Sequence, residues 1–439
     1  MFIGKYNSRK VKWLWALSVS CMLIGVITTS FLSVIPFIVF VYVLFCENER
    51  EASVLLFSWI PFANIFKLTP SSTSLLTICE ILLVVRHCVT RRVETRFFLL
   101  LVSSAAYFMA FSVENFQFLT ILKAIIAFYL VYYYVRNTSK EDIIEIAQLT
   151  SIGLFITMFL TMNQQYLSHI IPYLNDLDYV IDSEGHASDL MRMSGFIGDP
   201  NYCATMILMV VSLLCVLYYN KSIGNDFWLY SAGLLILGFF TYSKSFFLCV
   251  TVLVVLLILF VLIPKHKVWA LLVIAGCVGF FVMVKAGYFM AVQTILQRFT
   301  QGTLLTGRAD LNKDYIEYIS NHTKVLFFGD GVTAERYVGA RNNVHNMYIE
   351  IVYKLGIVGV MLYIMTLLDA FGVRFLHVKI RRSVAYVNYI PLLFFCVLFM
   401  FLAGVTCYAL PFYYCIIYFG VCFQTLPSNK QIARGECND

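Results

Sequence analysis

The chain has 439 residues, of which 60% are apolar and only 13% charged, with a mean hydropathy of +0.80. Soluble domains carry about 25% charged residues, so this balance excludes a water-surrounded globule and makes lipid the solvent. The net charge of +7 gathers into no basic patch, which excludes a nucleic-acid surface and leaves the positive charge as a topology signal.

A helix needs about 20 mostly apolar residues to cross a hydrocarbon core about 30 Å thick. In chain order the apolar runs predict spans over 13–27, 31–46, 52–66, 71–86, 97–112, 116–135, 143–163, 200–219, 227–243, 245–263, 268–286, 345–371, 386–403 and 406–424. That is fourteen crossings. A re-entrant hairpin among the first three, separated at Thr28-Thr29-Ser30 and at Glu47 to Glu51, reduces the number to twelve without changing sidedness. The expected fold class is all-α: a polytopic membrane bundle of 12–14 helices with two long extracytoplasmic loops.

Basic residues flanking spans resist translocation. Lys5, Arg9, Lys10 and Lys12, then Arg86, Arg91, Arg92 and Arg96, then Arg374, Lys379, Arg381 and Arg382 all fall on one side, which predicts that both termini are cytoplasmic. No small-residue cleavage site follows the first apolar run, so the first helix is expected to stay. The 13 cysteines lie almost wholly within or beside spans and read as packing residues. The chain therefore divides into N-terminal spans (1–163), an outer loop (164–199), central spans (200–286), a large outer loop (287–344) and C-terminal spans with a cytoplasmic tail (345–439).

Function is expected in the two outer loops, because every cytoplasmic connection is short or plainly basic. In the second loop, Gln293 to Thr300 and Ala309 to Ser320 show helical apolar spacing (Leu311, Tyr315, Tyr318, Ile319). Both are expected as amphipathic helices along the membrane surface, followed by a turn at Gly329-Asp330-Gly331. Four motifs come to that outer side: Arg192-Met193-Ser194-Gly195 with Gly198-Asp199-Pro200-Asn201, Thr241-Tyr242-Ser243-Lys244, Gly307-Arg308, and His345-Asn346 with Tyr348 and Glu350. Cationic side chains at the edge of lipid suit a pyrophosphate, because a low dielectric strengthens the attraction and guanidinium binds phosphate oxygens in pairs. A neutral histidine beside them suits proton abstraction.

The ordered set Arg-x-x-Gly-x-x-x-Asp-Pro-Asn, Thr-x-Ser-Lys, Gly-Arg, Gly-x-Gly and His-Asn-x-Tyr-x-Glu resembles the O-antigen ligase and polymerase superfamily over roughly 192–360. The resemblance implies an inverting glycosyltransferase of the bacterial cytoplasmic membrane whose donor and acceptor are polyprenyl-pyrophosphate-linked glycans, with membrane lipid and a chain-length regulator protein as partners. It implies no cofactor, no metal and no nucleotide sugar. Arg192, Lys244 and Arg308 would hold the donor pyrophosphate, His345 would be the base, and Asn201, Asn346, Tyr348 and Glu350 would support them. This chain carries Lys244 where the family usually places arginine, so a point charge replaces a bidentate fork.

Plainer readings stand beside these. Asp199-Pro200-Asn201 is also a helix start, since Pro suits the first turn. Asp176-x-Asp178, with Asp182, Glu184, His186 and Asp189 nearby, reads as a solvated acidic loop before it reads as a metal site. Polymerase is favoured over ligase. A lipid-linked-sugar transporter is the reading from another class, disfavoured because no pair of Gly/Pro-broken spans recurs and the cations gather on one side.

Overall fold

The computed structural model describes residues 6–28, 31–67, 74–112, 117–171, 192–219, 222–257, 267–287, 308–334, 337, 344 and 346–371. Among them every regular element is helical: α1 (Ser8–Thr28), α2 (Val34–Tyr42), α3 (Glu49–Ser58), α4 (Leu75–Thr90), α5 (Thr95–Phe111), α6 (Phe118–Asn137) and α7 (Lys140–Met162), then a short α8 (Gln164–Leu167), α9 (Pro200–Tyr219), α10 (Asp226–Phe239), α11 (Lys244–Leu257), α12 (Lys267–Lys285), α13 (Arg308–Asn321), α14 (Thr323–Phe328) and α15 (Met347–Ala370). The expected all-α membrane bundle is therefore observed, and α1, α6, α7, α9 and α15 are each long and apolar enough to cross a bilayer. Predicted spans 386–403 and 406–424, the helix at Gln293 to Thr300 and the acidic run Asp176 to Asp189 lie outside the described residues.

One end of the bundle is tied by charge. Ser139 and Asp142 form a capping box at the start of α7, with Ser139 N–H donating to Asp142 Oδ2 at 2.8 Å. Arg50 Nε lies 2.7 Å from both carboxylate oxygens of that fully buried Asp142. Tyr6 and Ser8, just ahead of and at the start of α1, donate to Glu145 on α7. Arg96 on α5 pairs with Asp369 at the far end of α15 at 3.0 Å, and Arg136 on α6 donates to the Asp369 carbonyl at 2.7 Å. The starts of α1, α3, α5 and α7 and the last turns of α6 and α15 therefore share one end.

The expected span at 52–66 takes a different form. Helix α3 has ten residues, which rise only about 15 Å, half of a hydrocarbon core. It gives way to a 3-10 turn at Ile60–Phe62 because Pro61 has no N–H to continue the ladder. Irregular backbone survives at this depth only inside protein. Accordingly, residues 51–63 are buried, and Ser74 Oγ donates to the carbonyls of Ala63 at 2.7 Å and Phe66 at 3.2 Å.

Helix α13 appears where helical spacing predicts it, but its apolar face is not spent on lipid. Tyr315 and Ile319 are buried in a small cluster with Val325, Val344 and Tyr353, and Leu311 and Tyr318 pack against them. That face packs on α15.

Candidate active site

At the end opposite the charged ties, α9 begins at a designed turn. The Asp199 carboxylate accepts from the N–H groups of Asn201 at 2.7 Å and Tyr202 at 3.1 Å, and Pro200 occupies the first turn, where a missing N–H costs nothing. The helix-start reading of Asp199-Pro200-Asn201 holds, and it fixes Asn201 in the first turn.

Asn201 Oδ1 then collects two donors from distant parts of the chain: Arg192 Nη2 at 3.1 Å and Ser243 Oγ at 3.0 Å. Arg192 Nε donates to the Thr241 carbonyl at 3.1 Å, and the next residue, Met193, donates its N–H to the Phe240 carbonyl at 3.0 Å. Ser243 Oγ also lies 2.8 Å from Ser245 Oγ, and the turn that brings it there places Tyr242 at φ 48°, an uncommon conformation for a side-chain-bearing residue. The first two motifs are thus one structure. The bonds to Thr241 and Asn201 orient the plane of the Arg192 guanidinium.

Lys244, half-buried, is the first residue of α11. Through the Ser243–Asn201 bond, the N-termini of α9 and α11 are drawn to one point beside Arg192 and Lys244, and the Asp199 carboxylate already occupies the α9 end. Arg192, Lys244 and the N-terminus of α11 are the positive features at that point. Sequence reading had the two cations and the α9 start but missed the α11 start, whose signal was the Ser-Lys pair. Serine 243 links the two helices: Ser243→Ala is expected to lower transfer by up to about tenfold, because one neutral hydrogen bond contributes roughly 0.5–1.5 kcal/mol, and initial-rate measurements on purified protein would read the change.

The other motifs lie on α13 and α15. Arg308 is the first residue of α13, with its side chain outside the described residues, and His345 lies outside them entirely. Asn346 accepts from Tyr348 N–H at 3.0 Å, so its oxygen caps α15. Tyr348 is exposed. Glu350 is buried and pairs with buried Lys354 at 2.9 Å, a partner chosen within its own helix.

A break follows. Gly356 sits inside α15 at φ 61° and ψ 177°, which opens the helix. The carbonyls freed there find new donors: Asp330 N–H reaches Tyr353 O at 2.9 Å, Gly331 N–H reaches Lys354 O at 3.0 Å, and Tyr107 OH on α5 reaches Leu355 O at 2.7 Å and Phe328 O at 2.9 Å. The predicted turn at Gly329-Asp330-Gly331 exists, and its task is to close this break.

The α15 break lies at the same end as Arg192. Helix α5 runs from Arg96, paired with Asp369 at the charged end, to Ser112, which accepts from Val332 beside the break at 3.1 Å. Likewise α7 runs from Asp142 to Thr157 and Met158, which lie against Gly195 in the Arg192 segment.

Residues 229–364 match the family model described as O-antigen ligase. No curated protein and no solved structure matches the chain. The matched region contains Thr241 to Lys244, the Gly329 turn and the broken α15, and Arg192 and Asn201 join it by hydrogen bonds from outside. By this match residues 229–364 are similar to the O-antigen ligase family, in line with the resemblance carried by the order of the motifs.

Proposed function

We propose that the protein is a surface-polysaccharide polymerase that joins polyprenyl-pyrophosphate-linked oligosaccharides at the outer face of the cytoplasmic membrane. The observation that carries this reading is the convergence of Arg192, Lys244 and the N-terminus of α11 at one end of the bundle. The opposite end holds Arg50, Arg96 and Arg136 among its ties, and basic residues favour the cytoplasm.

In the reaction, an acceptor sugar hydroxyl attacks the anomeric carbon of the donor from the face opposite the pyrophosphate, and the carbon–oxygen bond to pyrophosphate breaks. The bonding pair leaves with the lipid pyrophosphate, whose growing charge Arg192, Lys244 and Arg308 neutralise. His345 takes the hydroxyl proton. Asn201 and the Thr241 carbonyl hold Arg192 in place, Ser243 holds Asn201, and Asn346 sets the start of α15 immediately beyond His345.

The family description favours a second reading, a ligase that passes the finished chain to a different acceptor. Gel analysis of surface glycan from a deletion strain separates the two. Loss of the polymerase leaves a single repeat on the acceptor, whereas loss of a ligase leaves bare acceptor and accumulated lipid-linked polymer. Unaltered surface glycan contradicts both.

A further inference from the structure

The run from Trp59 to Phe66 that follows α3 is apolar but for one side chain, Asn64. Trp59, Ile60, Phe62, Ala63, Ile65 and Phe66 are all buried, and removal of apolar surface from lipid and water explains them. It does not explain a half-buried amide, which costs free energy in apolar surroundings unless a partner receives it.

The partner lies far along the chain. Asn64 Nδ2 donates to the carbonyl of Ile197 at 2.8 Å, across 133 residues of sequence. Ile197 closes the 3-10 turn Gly195–Ile197, and Gly198 follows at φ 87°, the left-handed conformation that leads the chain into Asp199 and the start of α9. A Cβ on Gly198 would lie 3.2 Å from Asn64 Nδ2, so the amide is seated against the turn itself. Beside it the buried rings of Phe62 and Phe196 meet edge-on, with centroids 6.5 Å apart.

The segment that carries Asn64 is held in turn. Ser74 Oγ donates to the carbonyls of Ala63 and Phe66, on either side of Asn64, and Leu75 N–H donates to Phe66 O at 2.8 Å, so the start of α4 clamps the segment. From Ile197 the path to the site is short. Asp199, two residues on, accepts from the N–H of Asn201, and Asn201 Oδ1 accepts from Arg192 and Ser243. The bonds from Arg192 to Thr241 and from Met193 to Phe240 tie the first part of this stretch to the α10–α11 turn, while Asn64 ties its middle to the α3–α4 connection. Neither Asn64 nor Ile197 lies within residues 229–364, so this support comes from outside the family match.

We infer that Asn64 is a positioning residue of the donor site: its hold on the Ile197 carbonyl fixes the Gly198–Asp199 turn, and with it the place of Asn201 and of the Arg192 guanidinium before the lipid pyrophosphate. This deepens the proposed function and rests on it.

The probe is the repeat-unit lipid, supplied to purified protein in liposomes, with released polyprenyl pyrophosphate as the readout and rates taken per folded protein. Asn64→Ala removes the donor group, and Asn64→Leu removes it while keeping a similar volume. Both are expected to lose about tenfold in kcat/KM, with KM for the donor lipid raised as well as kcat lowered, because Arg192 meets charge already on the pyrophosphate and charge that grows as the bond breaks. Damage confined to folding lowers the active fraction and leaves KM unchanged. Wild-type kinetics in Asn64→Leu, or an unchanged KM in both variants, overturns the role of Asn64 alone. Wild-type protein that releases no polyprenyl pyrophosphate overturns the donor-site reading beneath it.

Discussion

Replacing Arg192 with alanine is expected to abolish polymer formation, lowering transfer by at least about a hundredfold, the loss typical when one preorganised charge-stabilising donor is removed. The guanidinium is held by Thr241 and Asn201 in a plane that lysine cannot reproduce, so Arg192→Lys is expected to recover little. Because Asn201 Oδ1 still accepts from Ser243 in either variant, the protein should accumulate to normal levels. Gel analysis of surface glycan, with immunoblotting of the membrane fraction, reads both quantities. Normal polymer in Arg192→Ala contradicts the donor-site assignment.

Gly356→Ala is expected to remove the folded protein. A Cβ there would lie 2.4 Å from Phe327 C and Phe328 N and 2.5 Å from Gly329 N, all backbone atoms that cannot step aside. Its backbone conformation, φ 61° with ψ 177°, is close to glycine-only, which by itself costs about 1–3 kcal/mol. Gly329, at φ 76°, faces it across the same contact: a Cβ there would lie 2.2 Å from the Lys354 carbonyl oxygen. The α15 break and the loop that closes it are therefore one unit. Gly276→Ala in α12 is the control, since nothing lies within 4 Å of the added methyl and an exposed helical position gains up to about 1 kcal/mol from the change. Yield and melting temperature in detergent distinguish the two, and equal stability contradicts the tight packing described for the break.

The helical class was legible because lipid admits few alternatives, and hydropathy alone located α9 at Pro200–Tyr219. What hydropathy did not show is where a helix stops inside the membrane. Pro61 signalled the end of α3, yet the surrounding apolar run read as a full span. Gly356 gave a weaker signal, since isolated glycines are common in membrane helices. Its break depends on donors from Asp330, Gly331 and Tyr107, up to about 250 residues away in sequence, and no local pattern reports such partners.

For the site, the join between Arg192 and the Thr241 turn was legible as two motifs on one side of the membrane, while Asn201 as their common acceptor was not. Asn346 shows the opposite case. The sequence reading gave its side chain a supporting role at the site, although an asparagine immediately before a long apolar helix is a cap by local rules, and it caps α15.

The central claim is that the cationic point between α9 and α11 holds a lipid-linked pyrophosphate while its sugar is transferred. Purified protein in liposomes, supplied with the repeat-unit lipid and a metal chelator, tests it most directly. The expected result is joined glycan together with released polyprenyl pyrophosphate from wild-type protein, and intact donor from Arg192→Ala. Intact donor from both, or equal release from both, contradicts the claim.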